Sequence, residues 1–342
     1  MKKVTLISIT ILFMLLLYSY YNTMHRDNTN FDEDSTFLYI NSSDSIVNIL
    51  DTINKKIKSP KTFLRAAKMM DYAENIKSGR FKVNKGAGNK EIINSLKFNN
   101  TPLKVTFNNQ ERIQDLAGRV SIQILADSIS LLNVFLEKNF LVENGFNNLN
   151  LISMYIPNSY EFFWNVEPKI FRNKMLEGYN NFWNEDRTEK AKSIGLSKVE
   201  VITLASIVQK ESVKLDERPV IAGVYLNRLK KKMKLQADPT VIYSIKSYYN
   251  NFDTIIRRVL YRDLKLNSPY NTYKIKGLPP GPISMPDISS IDAVLNSRNH
   301  NYIFFVADPY NPGYHLFASK LSQHNKNKRV YTRWLNSKKI YR

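Results

Sequence analysis

One helical stripe constrains the fold of this chain more than any other feature. Val201, Leu204, Ala205 and Val208 recur at steps of three and four residues, so that in a helix they line one apolar face. Glu211 follows Val208 by three residues and therefore lies on or beside the same face. A helix with this pattern must bury its stripe against other elements, which predicts a packed core with a carboxyl group at its edge.

The carboxyl group of Glu211 has two interpretations. Burial beside apolar side chains disfavours the charged form and raises the pKa, and a carboxyl that stays protonated near neutral pH can act as a general acid. Alternatively, Glu211 is an ordinary surface residue that forms an ion pair with Lys210 or Lys214. The periodicity alone does not decide between the two.

The first residues predict a membrane anchor. An uncharged, mostly apolar run covers residues 4–21, and about 18 helical residues can just cross a hydrocarbon core of roughly 30 Å. Lys2 and Lys3 precede the run, which favours a cytoplasmic tip at residues 1–3. A cleaved signal peptide is the alternative, although no small-residue cleavage site follows the run. Residues 22–35 are polar and predict a short linker.

The net charge and the residue types limit the functions available. The formal charge of +20 indicates either an anionic partner or simply a lysine-rich solvated surface. No finger spacing, RNP-like run or helix-turn-helix pattern is present in the sequence, so nucleic acid is not predicted as the partner. The chain has no cysteine, and its four histidines lack ligand spacing. We therefore predict neither a disulfide nor a metal.

The chain beyond the linker predicts an α+β fold. Residues 36–100 read strand, helix, helix, strand, an order that resembles a LysM-like sugar-binding module, although a packing or spacer subdomain is an equally good interpretation. Residues 101–195 predict a connecting region with an amphipathic helical stretch over 166–191. Residues 196–342 contain the stripe and predict a mixed helix and sheet catalytic domain, with a buried strand at 302–307.

Several polar residues in this last domain are candidates for a ligand site. Asp238 lies in a polar loop predicted at residues 236–240; it is the natural second carboxylate of a glycosidase, and equally a common turn residue before proline. Asn271 and Tyr273 lie in a proline-fixed loop, which can form the wall of a saccharide groove or a static connection. His315 stands alone, and a lone histidine is more often structural than catalytic.

Six motifs in a fixed order carry a family resemblance. They are LASIVQKES, ERPVIAGVYLNRL, MKLQADPTVIY, SPYNTY, GLPPGPI and YIFFVAD, with IPNSYEFFW and the weaker IKSGRFKV upstream. Together they resemble the catalytic region of the YceG-like family of membrane-bound endolytic murein transglycosylases. The resemblance covers nearly the whole chain and is most specific from Ile156 to His324. The chain differs from the family pattern at Gln209 and Tyr314, where relatives often carry glutamate and glycine.

The resemblance implies a specific reaction. The β-1,4 bond between N-acetylmuramic acid and N-acetylglucosamine is cut within a glycan strand, and the C6 hydroxyl of the muramic residue closes onto C1 to leave a 1,6-anhydro end. Glu211 matches the family's catalytic glutamate and would act first as acid and then as base. The residues carried over as substrate-binding are Gln236, Asp238, Asn271, Tyr273 and His315. The resemblance implies no cofactor.

The resemblance also implies a setting, and two alternatives stay open. The enzyme would be anchored in the inner membrane with its catalytic domain on the periplasmic side, would act on nascent peptidoglycan strands, and would associate with wall-synthesis and division proteins. A peptidoglycan hydrolase would instead need a second carboxylate, with Asp238 or Glu217 as candidates. A non-catalytic wall-binding protein would not depend on Glu211.

Overall fold

A computed structural model describes residues 2–41 and 43–338, which fall into two compact units. The first unit comprises the chain up to Val105, Val120–Asp127 and Tyr160–Glu167; the second comprises Thr106–Arg119, Ser128–Ser159 and the chain from Pro168 onward. The α+β fold class is confirmed, while the expected connecting region at 101–195 is shared between both units. Three parts of the predicted regions lie outside the described residues. They are Met1 of the predicted tip, Ser42 of the predicted LysM-like subdomain, and residues 339–342 of the predicted catalytic domain.

Helix α1 (Lys2–Met24) is the one helix among the described residues that is long and apolar enough to cross a membrane. Its apolar side chains are exposed along most of its length, which is compatible with a single-pass anchor. The helix begins two residues before and ends three residues after the anchor predicted at 4–21. Its last turn belongs to the first unit, since Met24 is buried and the Thr23 carbonyl accepts a hydrogen bond from Asn89.

The polar segment at residues 22–35, predicted as a short linker, is packed into the first unit. The Asn28 side chain accepts a hydrogen bond from the backbone N–H of Ser59 and donates one to the side chain of Asn89, each at 2.6 Å. Thr29 is buried as well. Polar side chains whose hydrogen bonds are satisfied can be buried at little cost, and hydrophobic patterning does not reveal this.

The first unit is built around a two-stranded antiparallel sheet. Strand β1 (Ser35–Ile40) pairs with β2 (Gly79–Asn84), so that Ile40 lies opposite Gly79. The helices that pack with this sheet around one apolar core are α2 (Ile46–Ile53), α3 (Pro60–Met69) and α4 (Asn89–Phe98). The predicted order of strand, helix, helix, strand is confirmed, whereas the likeness to a LysM module stays a prediction.

Short elements follow before the central helices. They are β3 (Leu103–Phe107), α5 (Ile113–Ser121), α6 (Ser128–Phe135), α7 (Lys138–Glu143) and β4 (Asn158–Phe162), with β3 and β4 paired in a two-stranded sheet. The helical stretch predicted over 166–191 is two helices, α8 (Pro168–Phe182) and α9 (Glu185–Ser193). The break has a local cause, because the Asn184 side chain accepts the backbone N–H of Arg187 and caps a new helix.

Four helices form the centre of the second unit. They are α10 (Lys198–Glu211), α11 (Arg218–Lys230), α12 (Asp238–Tyr248) and α13 (Ile288–Leu295), and α10 contacts the other three. Ser197 and Glu200 form a capping box that starts α10. Residues 201–208 are all buried, so α10 is covered on every side rather than on one stripe.

Helix α12 begins at Asp238, and the loop predicted at 236–240 is therefore wrong over its second half. Pro239 lies in the first turn, where a backbone without an N–H costs nothing, and an acidic residue at a helix start suits the helix dipole. An Asp–Pro pair is common in turns and at helix starts alike. The consequence is that Asp238 is held by a rigid element.

The chain ends in a hairpin and a helix. Strands β5 (Phe304–Ala307) and β6 (His315–Ala318) pair antiparallel, and α14 (Leu321–Ser337) packs against both. The strand predicted at 302–307 is confirmed over Phe304–Ala307, but the prediction that it is buried is wrong, because β5 is only partly buried. A two-stranded hairpin has open edges, so an apolar run within it stays in contact with solvent.

Candidate active site

The carboxyl group of Glu211 lies at the very end of α10. Its Oε1 accepts a hydrogen bond from the Tyr225 hydroxyl at 2.6 Å, and the Tyr225 side chain is fully buried on α11. Because α11 packs against α10, the phenol is held opposite the end of that helix. The protein therefore fixes one oxygen of this carboxyl.

Burial raises the pKa of Glu211 to about 7. Loss of hydration is the largest cause, and the negative charge of Asp238 acts in the same direction. The hydrogen bond from Tyr225 and the positive charges of His315 and Arg228 oppose these effects. Glu211 keeps partial contact with solvent, so a ligand can reach the carboxyl.

The alternative of a surface ion pair for Glu211 is wrong. Lys210 lies 3.1 Å from a carboxyl oxygen of Glu111, and the Lys214 ammonium lies 5.0 Å from the centre of the Tyr314 ring. Neither lysine therefore pairs with Glu211. The carboxyl is left with a neutral phenol as its hydrogen-bond partner, which suits a group that changes its protonation state.

A second pair of carboxyl and phenol lies at the start of α12. The Tyr273 hydroxyl donates to Oδ1 of Asp238 at 2.6 Å. Burial and this hydrogen bond raise the pKa of Tyr273 above its usual range, so the hydroxyl stays protonated. Asp238 itself is exposed, and so is Gln236, which takes a left-handed backbone conformation (φ 51°) just before the helix. The structure thus brings Asp238 and Tyr273 together near Glu211, with Gln236 two residues before Asp238 along the chain.

Asn271 lies in the same loop as Tyr273 but is fully buried. Its Nδ2 donates to the carbonyls of Leu264 and Leu266 at 3.1 and 2.8 Å, and its Oδ1 accepts the backbone N–H of Tyr273 at 3.0 Å. The amide is saturated by backbone groups. Asn271 therefore positions the loop that presents Tyr273, rather than presenting its own amide to a ligand.

His315 is held by a buried carboxylate. Its backbone N–H donates to Oε1 of Glu217 at 2.7 Å, and its ring Nδ1 lies 2.8 Å from Oε2 of the same residue. The ring also meets Phe305 edge to face, with the centroids 5.1 Å apart. Nε2 forms no hydrogen bond to the described part of the chain and remains for a ligand. Glu217 uses both oxygens on His315, so it is not free to activate water.

Three residues of α11 lie at or near the site: Tyr225, which the sequence pattern did not mark, and Asn227 and Arg228 of the NRL motif, which the sequence left undecided between facing the site and capping neighbouring residues. Tyr225 binds Glu211, and its neighbours Asn227 and Arg228 hold the segment before β5. The Asn227 amide donates to the carbonyl of His300 at 2.7 Å, and the buried Arg228 donates to that of Ile303 at 2.7 Å. On a helix buried on nearly every side, Tyr225 could only have been recognised by pairing α10 with α11.

The proline-rich loop at residues 277–283 is a fixed wall. Gly277 adopts a positive φ of 85°, and a Cβ on Gly281 would lie 2.0 Å from the carbonyl oxygen of Leu149. The Ser206 hydroxyl on α10 accepts the backbone N–H of Ile283 at 3.1 Å. Gly281 therefore lets the loop lie directly against the backbone at Leu149. The hydrogen bond to Ser206 also fastens the loop to α10.

Together these contacts define a class of protein. A partly buried carboxyl with a pKa near neutrality, fixed by a buried phenol and flanked by a second carboxyl–phenol pair, is an arrangement that can support general acid and base catalysis and marks a candidate enzyme site. Within residues 2–41 and 43–338, no group of three or more histidine, aspartate or glutamate side chains is placed to hold a metal ion.

The chain belongs to the YceG-like family, whose profile matches residues 38–330. The endolytic murein transglycosylase of Bacillus subtilis is 32% identical over 319 residues, which cover 86% of this chain and 85% of that protein. The endolytic murein transglycosylase of Streptococcus pneumoniae is 35% identical over 136 residues, 40% of this chain and 24% of that protein. A crystal structure of a yceG-like protein from Listeria monocytogenes matches with a TM-score of 0.56 and 25% identity, covering 86% of this chain and 99% of that one.

Proposed function

We propose that this chain is an endolytic lytic transglycosylase of peptidoglycan. It cuts the β-1,4 bond between N-acetylmuramic acid and N-acetylglucosamine within glycan strands and leaves 1,6-anhydro ends. The observation that carries the proposal is the Glu211 carboxyl with its pKa near 7, in a chain that matches a relative named endolytic murein transglycosylase over 85% of that relative's length.

In the first step, Glu211 acts as the acid. Its Oε1 already accepts a hydrogen bond from the Tyr225 hydroxyl, so the proton to be transferred lies on Oε2. That proton passes to the glycosidic oxygen, the bond from C1 to this oxygen breaks, and positive charge develops at C1 and the ring oxygen. The new carboxylate keeps the hydrogen bond from Tyr225, which stabilises the negative charge as it forms.

In the second step, the Glu211 carboxylate acts as the base. It takes the proton of the C6 hydroxyl of the muramic residue while that oxygen bonds to C1, which closes the 1,6-anhydro ring and restores the protonated enzyme. Water is not consumed. A hydrolase uses its second carboxylate to activate water or to form a covalent intermediate. An attacking group supplied by the substrate requires neither, and a pKa near the working pH suits a group that must both give and take a proton.

The residues around Glu211 are proposed to hold the strand. Gln236, Asp238 and the Tyr273 hydroxyl bonded to it offer hydrogen-bonding groups near the start of α12. His315, at the start of β6, offers its ring Nε2. Asn271 acts indirectly by fixing the loop of Tyr273. No residue in this set is asked to form a covalent bond.

The proposed location follows from the N-terminal helix. With α1 as a single-pass anchor, and with Lys2 and Lys3 favouring a cytoplasmic N-terminus, both folded units would lie on the outer face of the cytoplasmic membrane, which is the periplasmic side where an outer membrane exists. Nascent strands are within reach there. Association with wall-synthesis and division proteins is part of the same proposal.

The test uses the full chain in an uncharged detergent and uncrosslinked glycan strands, with new ends identified by mass spectrometry. Wild type is compared with Glu211→Gln, and Glu189→Gln is the matched control because it makes the same change on an exposed residue of α9. We expect 1,6-anhydro ends from wild type and from Glu189→Gln only.

Two other results would redirect the assignment. Reducing ends, heavier by one water, would indicate a hydrolase and make Asp238 the next carboxylate to change. Strand binding without cleavage by any variant, in protein shown to be folded, would indicate a non-catalytic wall-binding protein.

A further inference from the structure

A large open cavity lies in the second unit, at the far end of α12 from Glu211. It has a volume of about 870 Å³ and is bounded by the last turn of α12 and by the irregular segment that follows it. Four of its thirteen lining residues are cationic, namely Arg257, Arg258, Arg262 and Lys265, and one is acidic. We call this space the basic cavity.

The positive charge of the basic cavity is not neutralised by the chain. Asp263, its one acidic residue, accepts the backbone N–H of Leu260 at 2.8 Å and lies 3.6 Å from Arg262. The side chains of Arg257, Arg258 and Lys265 form no hydrogen bond or ion pair with any described residue. Three cations that converge on one concavity without a counter-ion attract a ligand with negative charge.

The walls of the cavity also suit a ligand with a small apolar component. Tyr248 and Tyr249 meet edge to face at the end of α12, with their centroids 5.0 Å apart, and both are largely exposed. Ile255 is 79% exposed beside them. A concave surface with apolar walls and a few charged groups is typical of a ligand site, and its volume is in the usual range for small ligands.

The basic cavity is connected to the candidate active site through two rigid elements. Helix α12 runs from Asp238 to the cavity over eleven residues, which corresponds to about 16 Å. The Asn271 amide binds the carbonyls of Leu264 and Leu266, so the far side of the cavity is tied to the loop that carries Tyr273. A strand with its cut bond at Glu211 can therefore present a neighbouring substituent to the cavity.

We propose that the basic cavity binds the free carboxylates of the short peptides that the glycan strand carries on its muramic residues. This inference rests on the proposed function, since it assigns a subsite to the same substrate. Charged carboxylates would pair with Arg257 and Arg258, and the small methyl side chains of such peptides would contact Tyr248 and Tyr249. The cavity thus favours strands that still carry their peptides.

The test measures strand binding rather than cleavage. Full-length Glu211→Gln in uncharged detergent is titrated with uncrosslinked strands that carry peptides and with the same strands stripped by an amidase. We expect Arg257→Gln/Arg258→Gln, added to this variant, to weaken binding of the peptide-bearing strands about tenfold, or about 1.4 kcal/mol, and to leave binding of the stripped strands unchanged. Arg329→Gln/Arg333→Gln removes two exposed charges from α14 and is the matched control, expected to change neither.

Two outcomes of the strand titration would overturn the inference: equal weakening of binding to both kinds of strand, or no weakening of binding to either. A third comes from measuring binding of the same variants to vesicles of phosphatidylglycerol and of phosphatidylcholine. If the arginine substitutions weaken binding only to phosphatidylglycerol vesicles, the cavity is assigned to the membrane surface instead. Because binding needs no turnover, the peptide dependence is measurable even if the chain proves not to cleave strands. A chain that cleaves strands without this dependence would refute only the inference.

Discussion

The substitution Tyr225→Phe tests the chemistry of Glu211 most directly. It removes one hydroxyl and keeps the ring, so the packing of a fully buried side chain on α11 is preserved. What is lost is the 2.6 Å hydrogen bond to Oε1 of Glu211. Burial and the nearby carboxylate raise the pKa of Tyr225 well above its usual range, so in the native protein this hydroxyl is a donor at every working pH.

The size and sign of the effect follow from that hydrogen bond. A hydrogen bond to a charged group contributes about 1.5–3 kcal/mol, and one pKa unit corresponds to about 1.4 kcal/mol. The bond stabilises the carboxylate, so its loss raises the pKa of Glu211 above about 7, by roughly one to two units. The same carboxylate forms when the leaving oxygen is protonated, and kcat should therefore fall about 10- to 100-fold.

The assay is the rate of anhydro-end formation from pH 5 to 9. In wild type, kcat/KM should decline as pH rises through the pKa of Glu211, because the acid form is lost. In Tyr225→Phe this decline should move to higher pH while kcat falls. Tyr261→Phe, on a largely exposed tyrosine, should change neither. A decline that stays in place, or moves to lower pH, would refute the assignment of Glu211 as the acid fixed by Tyr225.

Three further substitutions test how the site is held. Glu217→Ala leaves the partly buried backbone N–H of His315 without an acceptor and should lower the free energy of unfolding in urea by about 1–3 kcal/mol, with a smaller loss for Glu217→Gln. Asn271→Ala should speed amide hydrogen exchange in residues 268–273, because it removes three hydrogen bonds from that loop. Gly223→Ala places a Cβ 2.6 Å from the Arg298 carbonyl oxygen and should lower the free energy of unfolding in urea by about 1–3 kcal/mol. The control is Gly118→Ala, whose Cβ would have no atom within 4 Å, and it should raise the free energy of unfolding by about 0.5–1 kcal/mol.

The parts of this protein that the sequence predicted are those with local causes. The helix that ends at Glu211 follows from the spacing of its apolar residues and from the capping box of Ser197. The strand, helix, helix, strand order of the first unit and the membrane-compatible helix α1 have equally local signatures. The place of Glu211 beside buried groups follows from the same periodicity.

The parts that escaped prediction depend on contacts between distant residues. Tyr225 is fourteen positions from Glu211, and nothing in α11 marks it as different from a packing residue. The segment at 22–35 looks like a linker because its burial is satisfied by hydrogen bonds rather than by apolar surface. Asn271 was selected as a substrate contact for its amide, but that amide is used up by the backbone of its own loop.

The position of Glu211 as the last residue of α10 bears on the two roles that we propose for its carboxyl. The carboxyl end of a helix carries partial negative charge, so this position adds to burial and to Asp238 in disfavouring the carboxylate. Tyr225, Arg228 and His315 act in the opposite sense. Either set alone would leave a group fixed as an acid or fixed as a base. Their balance places the pKa near neutrality, where a single carboxyl can donate a proton to the leaving oxygen and then accept one from the attacking hydroxyl.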